Sequence, residues 1–318
     1  MGYDGTILVP DNFLYPAYGS RRYSTLFEEV AKKKNFKLLK TLYFRKEEQE
    51  GDICIVFCGL QHSYIYGNAR SLDMPEKIKI IFYPTDLQHI DEPTIPEYRA
   101  MYERMLSRAV KIICPYKEAF IEWWGSKPEY MKKFEWFPHS FGYRSIWEKY
   151  SSKNRFKNNK CLNPGYAGLD YLMRRELLKY PELSDSIYHD EKYVGNIIVN
   201  RRPMFGEDYV KKLNSYVCCF TCPSRFNYPL AKYFEIPAAG SLLVAKKCKD
   251  IEELGFIPNV HYIEVQEDNH IDVIRAILKG ENKYDDIVEE GRKLVLENFG
   301  IEKRIKQLER IIDEVKKM

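Results

Sequence analysis

Lys232-Tyr233-Phe234-Glu235-Ile236-Pro237-Ala238-Ala239-Gly240-Ser241-Leu242-Leu243-Val244 is the stretch whose reading decides the fold. A cation and a carboxylate three residues apart run into a Pro-Ala-Ala-Gly break, which opens directly onto an apolar strand. On a helix, residues three apart share a face, so Lys232 and Glu235 are placed to act together. An ammonium is a point charge suited to a phosphate. A carboxylate accepts two charge-assisted hydrogen bonds from a sugar diol. A phosphate and a ribose together describe a nucleotide. The competing explanation is a surface ion pair, common and weak. The small-residue turn beside a buried strand favours the ligand, because open α/β sheets bind ligands in loops at strand ends.

Outward from this stretch, short apolar runs alternate with amphipathic ones. Strands are expected at 6–9, 38–44, 53–57, 78–83, 111–114 and 135–137, and again at 160–162, 195–199, 216–220, 241–245 and 261–265. Helical spacing fits a stretch capped by Ser20, another around Tyr98 to Ala109, and 169–179, 207–213, 229–238 and 271–278. Two closing helices carry apolar stripes, one through Ile287, Val288, Leu294 and Val295, the other through Ile305, Leu308, Ile311, Ile312 and Val315. Strand–helix alternation implies parallel sheets. The polar, basic run 151–160 reads as a linker. The expectation is an α/β protein of two Rossmann-like domains, 1–150 and 151–300, with a ligand cleft between them.

Composition narrows the classes. The 318 residues allow two domains, and 45% hydrophobic with 30% charged residues is ordinary for a globular protein. The 25 tyrosines are explained by packing layers more readily than by stacking in a cleft. With 50 basic against 46 acidic residues, a net charge of +4 is too balanced for a dedicated nucleic-acid surface. The eight cysteines lie in or beside strand-like runs, where a free thiol acts as a small hydrophobe. Cys218, Cys219 and Cys222 hint at zinc but lack a second ligand pair at the required spacing. Reduced thiols, no signal-peptide pattern in Met1 to Thr6 and no apolar run of membrane-spanning length lead to a cytoplasmic expectation.

Missing motifs narrow the chemistry further. The chain has no Gly-x-Gly, no P-loop lysine, no Asp-x-Asp and no Gly-x-Ser-x-Gly. A Rossmann-like chain without these is expected to bind a nucleotide diphosphate with no metal and no cofactor. Helix N-termini and basic side chains would offset the charge.

With these residues in hand, the C-terminal half resembles the GT-B glycosyltransferases, and more narrowly their group-1 and spore-maturation-type branch. The likeness rests on Lys232 through Val244, on the acidic helix and turn at 250–259, on Glu290 through Phe299, and on Pro164 through Arg174. In the N-terminal half only Phe137-Pro138-His139-Ser140 contributes beyond pattern. The resemblance implies that Glu235 binds the nucleotide ribose and that Lys232, Arg225 and Arg174, beside Gly165, bind the diphosphate. Many relatives carry a second carboxylate eight positions before the ribose glutamate, where this chain has Asn227, so the donor sugar meets an amide. The resemblance also implies that the last helix, 301–318, packs on the N-terminal domain, and that anomeric configuration is retained.

Catalytic candidates follow from position. Lys232 and Arg225 would stabilise the departing diphosphate. His139, at a strand end, would hydrogen-bond the sugar or the leaving phosphate, against a structural role. Asp86, with His89 near it, sits where an N-domain acceptor site would lie, against a helix-capping role. Asp11 and His62 are weaker candidates for a base, and Gly19 for a turn that admits the acceptor. Lys32-Lys33-Lys34 and Arg201-Arg202 leave open an acidic acceptor or peripheral membrane contact. The reading is a metal-independent glycosyltransferase using a nucleotide-sugar donor and a saccharide or lipid-linked acceptor. The alternatives are a non-catalytic nucleotide-sugar-binding protein and a GT-B-like sugar-nucleotide epimerase.

Overall fold

Strands buried on both faces read as unbroken apolar runs, and such runs build two parallel sheets here. The computed structural model describes residues 2–9, 22–40, 49–58, 74–84, 87, 97–150, 157–165, 167–187, 206–280 and 283–318. In chain order the strands are β1 (Gly5–Val9), β2 (Phe36–Lys40), β3 (Ile53–Cys58), β4 (Lys79–Pro84), β5 (Ala109–Cys114), β6 (Phe134–Trp136), β7 (Asn158–Asn163), β8 (Ser184–Ser186), β9 (Tyr216–Thr221), β10 (Leu242–Ala245) and β11 (Ile263–Glu264). One sheet runs β2-β1-β3-β4-β5-β6 and the other β11-β10-β9-β7-β8.

The first compact unit contains the described residues from Tyr23 to Pro138, strand β1, and Arg304–Met318. Ile7 on β1 is in register with Leu38 on β2 and Ile55 on β3, and Ile7 and Ile55 are fully buried. Phe27, Phe57, Tyr83 and Phe137 meet edge to face above the sheet. Such aromatic pairs add about 0.5–1.5 kcal/mol each beyond the area they bury. The helix Ile301–Lys316 turns Ile305, Leu308, Ile311, Ile312 and Val315 into this core. Polar contacts hold its flanks: Lys34 reaches Asp313 at 2.8 Å, the Gln307 amide donates to Glu135 at 2.8 Å, and Lys316 meets Asp4 at 3.0 Å.

The second unit spans His139–Lys303. Its central strand is β9. On one face Cys219 lies between Leu162 and Leu243, and on the other Cys218 lies between Cys161 and Leu242. Residues 139–150, expected with the N-terminal domain, group here because Phe141 and Trp147 insert into this core. The expected linker also shortens: Asn158, Asn159 and Lys160 form the start of β7, where the strand is still exposed or half-buried and tolerates polar side chains. The Ser-Asp-Ser strand β8 had no apolar signal. The expected strand at 195–199 and the stretch 41–44 lie outside the described residues.

Two measurements check this packing. A Cβ at Gly291, within helix Asp285–Asn298, would stand 2.3 Å from the backbone oxygen of His261. Gly291→Ala should therefore cost about 1–3 kcal/mol in urea unfolding, and an unchanged midpoint would contradict the close approach. In the first unit, the hydrogen bond from Lys316, with one from Asn35, holds the Asp4 carboxyl below its usual range. A lowered carboxyl stabilises the fold above its unfolded pKa, and that gain is lost as pH falls through the lowered value. Lys316→Met should lower the thermal midpoint more at pH 7 than at about pH 3, because the gain is lost as the carboxyl takes up its proton. Equal loss at both pH values would contradict the pairing.

Candidate functional site

In the second sheet, β7 is followed in space by β8 on one side, while β9 leads to β10 on the other. The order therefore reverses between β7 and β9, and the crevice outside the carboxyl ends of those two strands is the favoured ligand position. The loop after β7 and the loop and helix after β9 contain Gly165, Asp170, Arg225, Asn227, Lys232 and Glu235. In the first sheet the equivalent reversal falls between β1 and β3, whose following loops lie outside the described residues.

The helix Lys232–Ala238 is buried almost all round, with Tyr233, Phe234 and Ile236 fully inside. Glu235 shares that burial, at 0% exposure. A carboxylate taken out of water needs compensation. Here the Lys232 ammonium donates to Oε2 at 3.0 Å, and the Tyr209 hydroxyl donates to the same oxygen at 3.0 Å. The ammonium also lies 5.5 Å from the centre of the Tyr209 ring. Lys232 and Glu235 are thus an ion pair, but a buried one, with the lysine side chain 18% exposed.

Gly165 lies against this group. Its φ is +108°, which side chains rarely adopt, and a Cβ there would stand 3.4 Å from both Lys232 Cε and Arg174 Nη1. Glycine thus lets the backbone approach both cationic side chains. Arg174 faces inward at 2% exposure while Arg175 is exposed. Its Nη2 donates to Thr221 Oγ1 at the end of β9, and its guanidinium lies 4.9 Å from the Tyr171 ring. The Asn163 amide donates to the Arg174 carbonyl at 3.0 Å, fixing the start of its helix to β7.

A cavity of about 730 Å³ adjoins the crevice, lined among others by Asp170, Arg225, Asn227, Lys246 and Glu267. Arg225 pairs with Asp170 at 2.9 Å and lies 4.7 Å from the Phe226 ring, so its charge is shared with a carboxylate. Lys246 pairs with Glu267 at 2.7 Å. Asn227 has φ +55°, a conformation asparagine tolerates well, and its N–H donates to the Ser224 carbonyl at 2.8 Å.

The structure brings together Lys232, Glu235, Arg174 and Gly165, and sets Arg225 and Asn227 in the adjoining cavity wall. His139 is buried and packs edge-on against Phe234, with ring centres 6.4 Å apart. Asp86, His89, Asp11, His62 and Gly19 lie outside the described residues. Tyr209 and Thr221 were not singled out from the sequence. Tyr209 reads as one more apolar position of the helix Gly206–Asn214, three residues after its start. Cys54, Cys114, Cys161, Cys218, Cys219, Cys222 and Cys248 are free and buried, and burial pushes the Cys219 and Cys248 thiols up to about 12. Among the described residues, no three His, Cys, Asp or Glu side chains gather as a metal-ligand set, and no helix is long and apolar enough to cross a membrane.

Residues 173–310 match the family described as glycosyl transferase-like, a span that includes Arg174, Arg225, Lys232 and Glu235. Among solved structures, the sucrose-phosphate synthase of Thermosynechococcus elongatus is similar with a TM-score of 0.68 at 10% identity, covering 98% of each chain. HepE of Anabaena, in complex with UDP-glucose, gives 0.62 at 10% identity over 97% of this chain and 99% of that one. An alpha-glucosyltransferase in complex with UDP and a DNA 13-mer gives 0.60 at 10% identity over 97% and 98%. No curated protein sequence matches the chain. The fold is that of the GT-B class, two Rossmann-like units with parallel sheets. The C-terminal part thus matches a glycosyltransferase family model, in a chain whose whole fold is that of the GT-B class.

Thr221→Val keeps shape but removes an acceptor of the buried Arg174 guanidinium. It should cost about 1–3 kcal/mol in urea unfolding, whereas unchanged stability would show that the hydroxyl does not carry that charge.

Proposed function

We propose that the chain transfers a sugar from a nucleotide-diphosphate donor, with UDP-glucose as the first to test, to the hydroxyl of a saccharide or lipid-linked acceptor. The observation that carries this reading is the Lys232–Glu235 pair, buried beside Gly165 and Arg174 at the strand-order reversal. Structures of similar fold hold UDP or UDP-glucose, which supports the donor class. Glu235 would take the ribose diol. Its carboxylate is covered by Lys232, whose flexible four-carbon stem moves aside as the ribose enters. Lys232 and Arg174 would hold the diphosphate, and Arg225 and Asn227 would face the donor sugar.

In the reaction, the bond between the anomeric carbon and the β-phosphate oxygen breaks, and the nucleoside diphosphate leaves with the electron pair. The acceptor oxygen forms the new bond, and its proton passes to the departing diphosphate. Charge developing on the leaving oxygen is stabilised by fixed cations, and on this reading no metal is required. Retention of anomeric configuration follows from the family likeness.

A thermal-shift panel of UDP-, GDP-, ADP- and dTDP-glucose, with and without EDTA, tests the reading. One donor should raise the midpoint, EDTA should leave that rise intact, and Glu235→Ala should abolish it. Removing one partner of a buried pair costs about 3–5 kcal/mol, so Glu235→Gln is measured beside it as a variant that keeps the volume. A shift that survives both substitutions would refute the ribose assignment. A shift lost to EDTA would refute the metal-free reading.

A further inference from the structure

We infer that Tyr209 is a positioning residue of the donor site, one that acts through Glu235; this rests on the donor reading above. The helix Gly206–Asn214 turns Tyr209, Val210 and Leu213 inward, and Tyr209 has 0% exposure. A tyrosine used only for packing would be replaceable by phenylalanine, because a buried hydroxyl needs a partner of its own. The partner here is the functional carboxylate, at 3.0 Å on Oε2.

The same side chain serves both members of the ion pair. Its hydroxyl holds Oε2, and its ring lies under the Lys232 ammonium at 5.5 Å. Two donors from separate elements, Lys232 on its own helix and Tyr209 on another, meet at one oxygen and set the plane of the carboxylate. The second helix is itself anchored: the Asn214 amide, at its C-terminal end, donates to the Ala239 carbonyl at 2.6 Å, just past the helix that carries Glu235. The hydroxyl therefore sits at a defined place relative to the carboxylate it orients. A binding site needs such support to hold its contacting groups within fractions of an ångström. Tyr209 would not touch the donor; it would fix how Glu235 presents itself to the ribose diol.

The discriminating variant is Tyr209→Phe, which removes one oxygen and leaves the ring under Lys232. Inhibition constants are measured for UDP and for 2′,3′-dideoxy-UDP against the donor that stabilises the wild type in the panel above. The UDP constant should rise about tenfold, because the carboxylate is no longer held where the diol meets it. The KM for donor should rise with it and kcat should change less than about threefold. The dideoxy-UDP constant should stay within about twofold of wild type, because that nucleotide lacks the diol Glu235 would receive. Circular dichroism and the thermal midpoint establish that the variant is folded.

An unchanged UDP constant, or an equal rise for both nucleotides, would overturn the inference and leave Tyr209 a packing residue. Glu235→Ala separates the two levels of the argument. If it loses UDP while Tyr209→Phe does not, only the positioning role fails. If it binds UDP as the wild type does, the donor reading fails and this inference falls with it.

Discussion

One buried carboxylate governs the second unit. Glu235 is withdrawn wholly from solvent inside a helix whose neighbours are apolar. Left uncompensated, such a charge carries a desolvation penalty of several kcal/mol. The fold meets that cost with a lysine one turn earlier and a tyrosine from another helix, both on a single oxygen. Replacing the trio with hydrophobic residues would often be neutral for stability, so an arrangement of this kind points to use rather than to strength. The helix that bears it is short, contains Pro237 and leads at once into β10, so its position follows from the sheet.

The sheet order explains why the trio lies where it does. β7 and β9 are neighbours in space but diverge in their connections, which opens a crevice at their carboxyl ends. Gly165 comes from the loop after the first strand and Lys232 from the helix that follows the second, and the side chain of Arg174 bridges to Thr221 on β9. Each contributes little alone. Together they place two cations against one glycine backbone, a setting suited to a negatively charged group. In the adjoining cavity Arg225 and Lys246 are likewise paired with carboxylates, Asp170 and Glu267.

Much of this was legible in the amino-acid order, for a physical reason. Strands such as β3, β4, β9 and β10 are covered on both faces, and their residues form near-continuous apolar runs. Lys232 and Glu235 could be paired from spacing alone, since one helical turn brings them together. Inward burial of Arg174 but not Arg175 also follows from helix geometry, although spacing alone could not say which of the two faced in. Other features had no local signal. β8 is three polar residues long and exists only because β7 is beside it. The opening of β7 is polar because it is exposed, so it read as linker. Tyr209 is separated from Glu235 by 26 residues, and their contact is made by tertiary packing. His139 could be placed at a strand end, but its packing against Phe234 depends on residues far along the chain.

The central claim is that the carboxylate of Glu235 and the ammonium of Lys232 receive a nucleotide sugar at the reversal between β7 and β9. A crystal structure of the protein with UDP-glucose tests it most directly. The account predicts ribose hydroxyls within hydrogen-bonding distance of Glu235, and the diphosphate against Lys232 and the Gly165 backbone. A nucleotide lodged elsewhere, with Glu235 still sealed beneath Lys232, would contradict it.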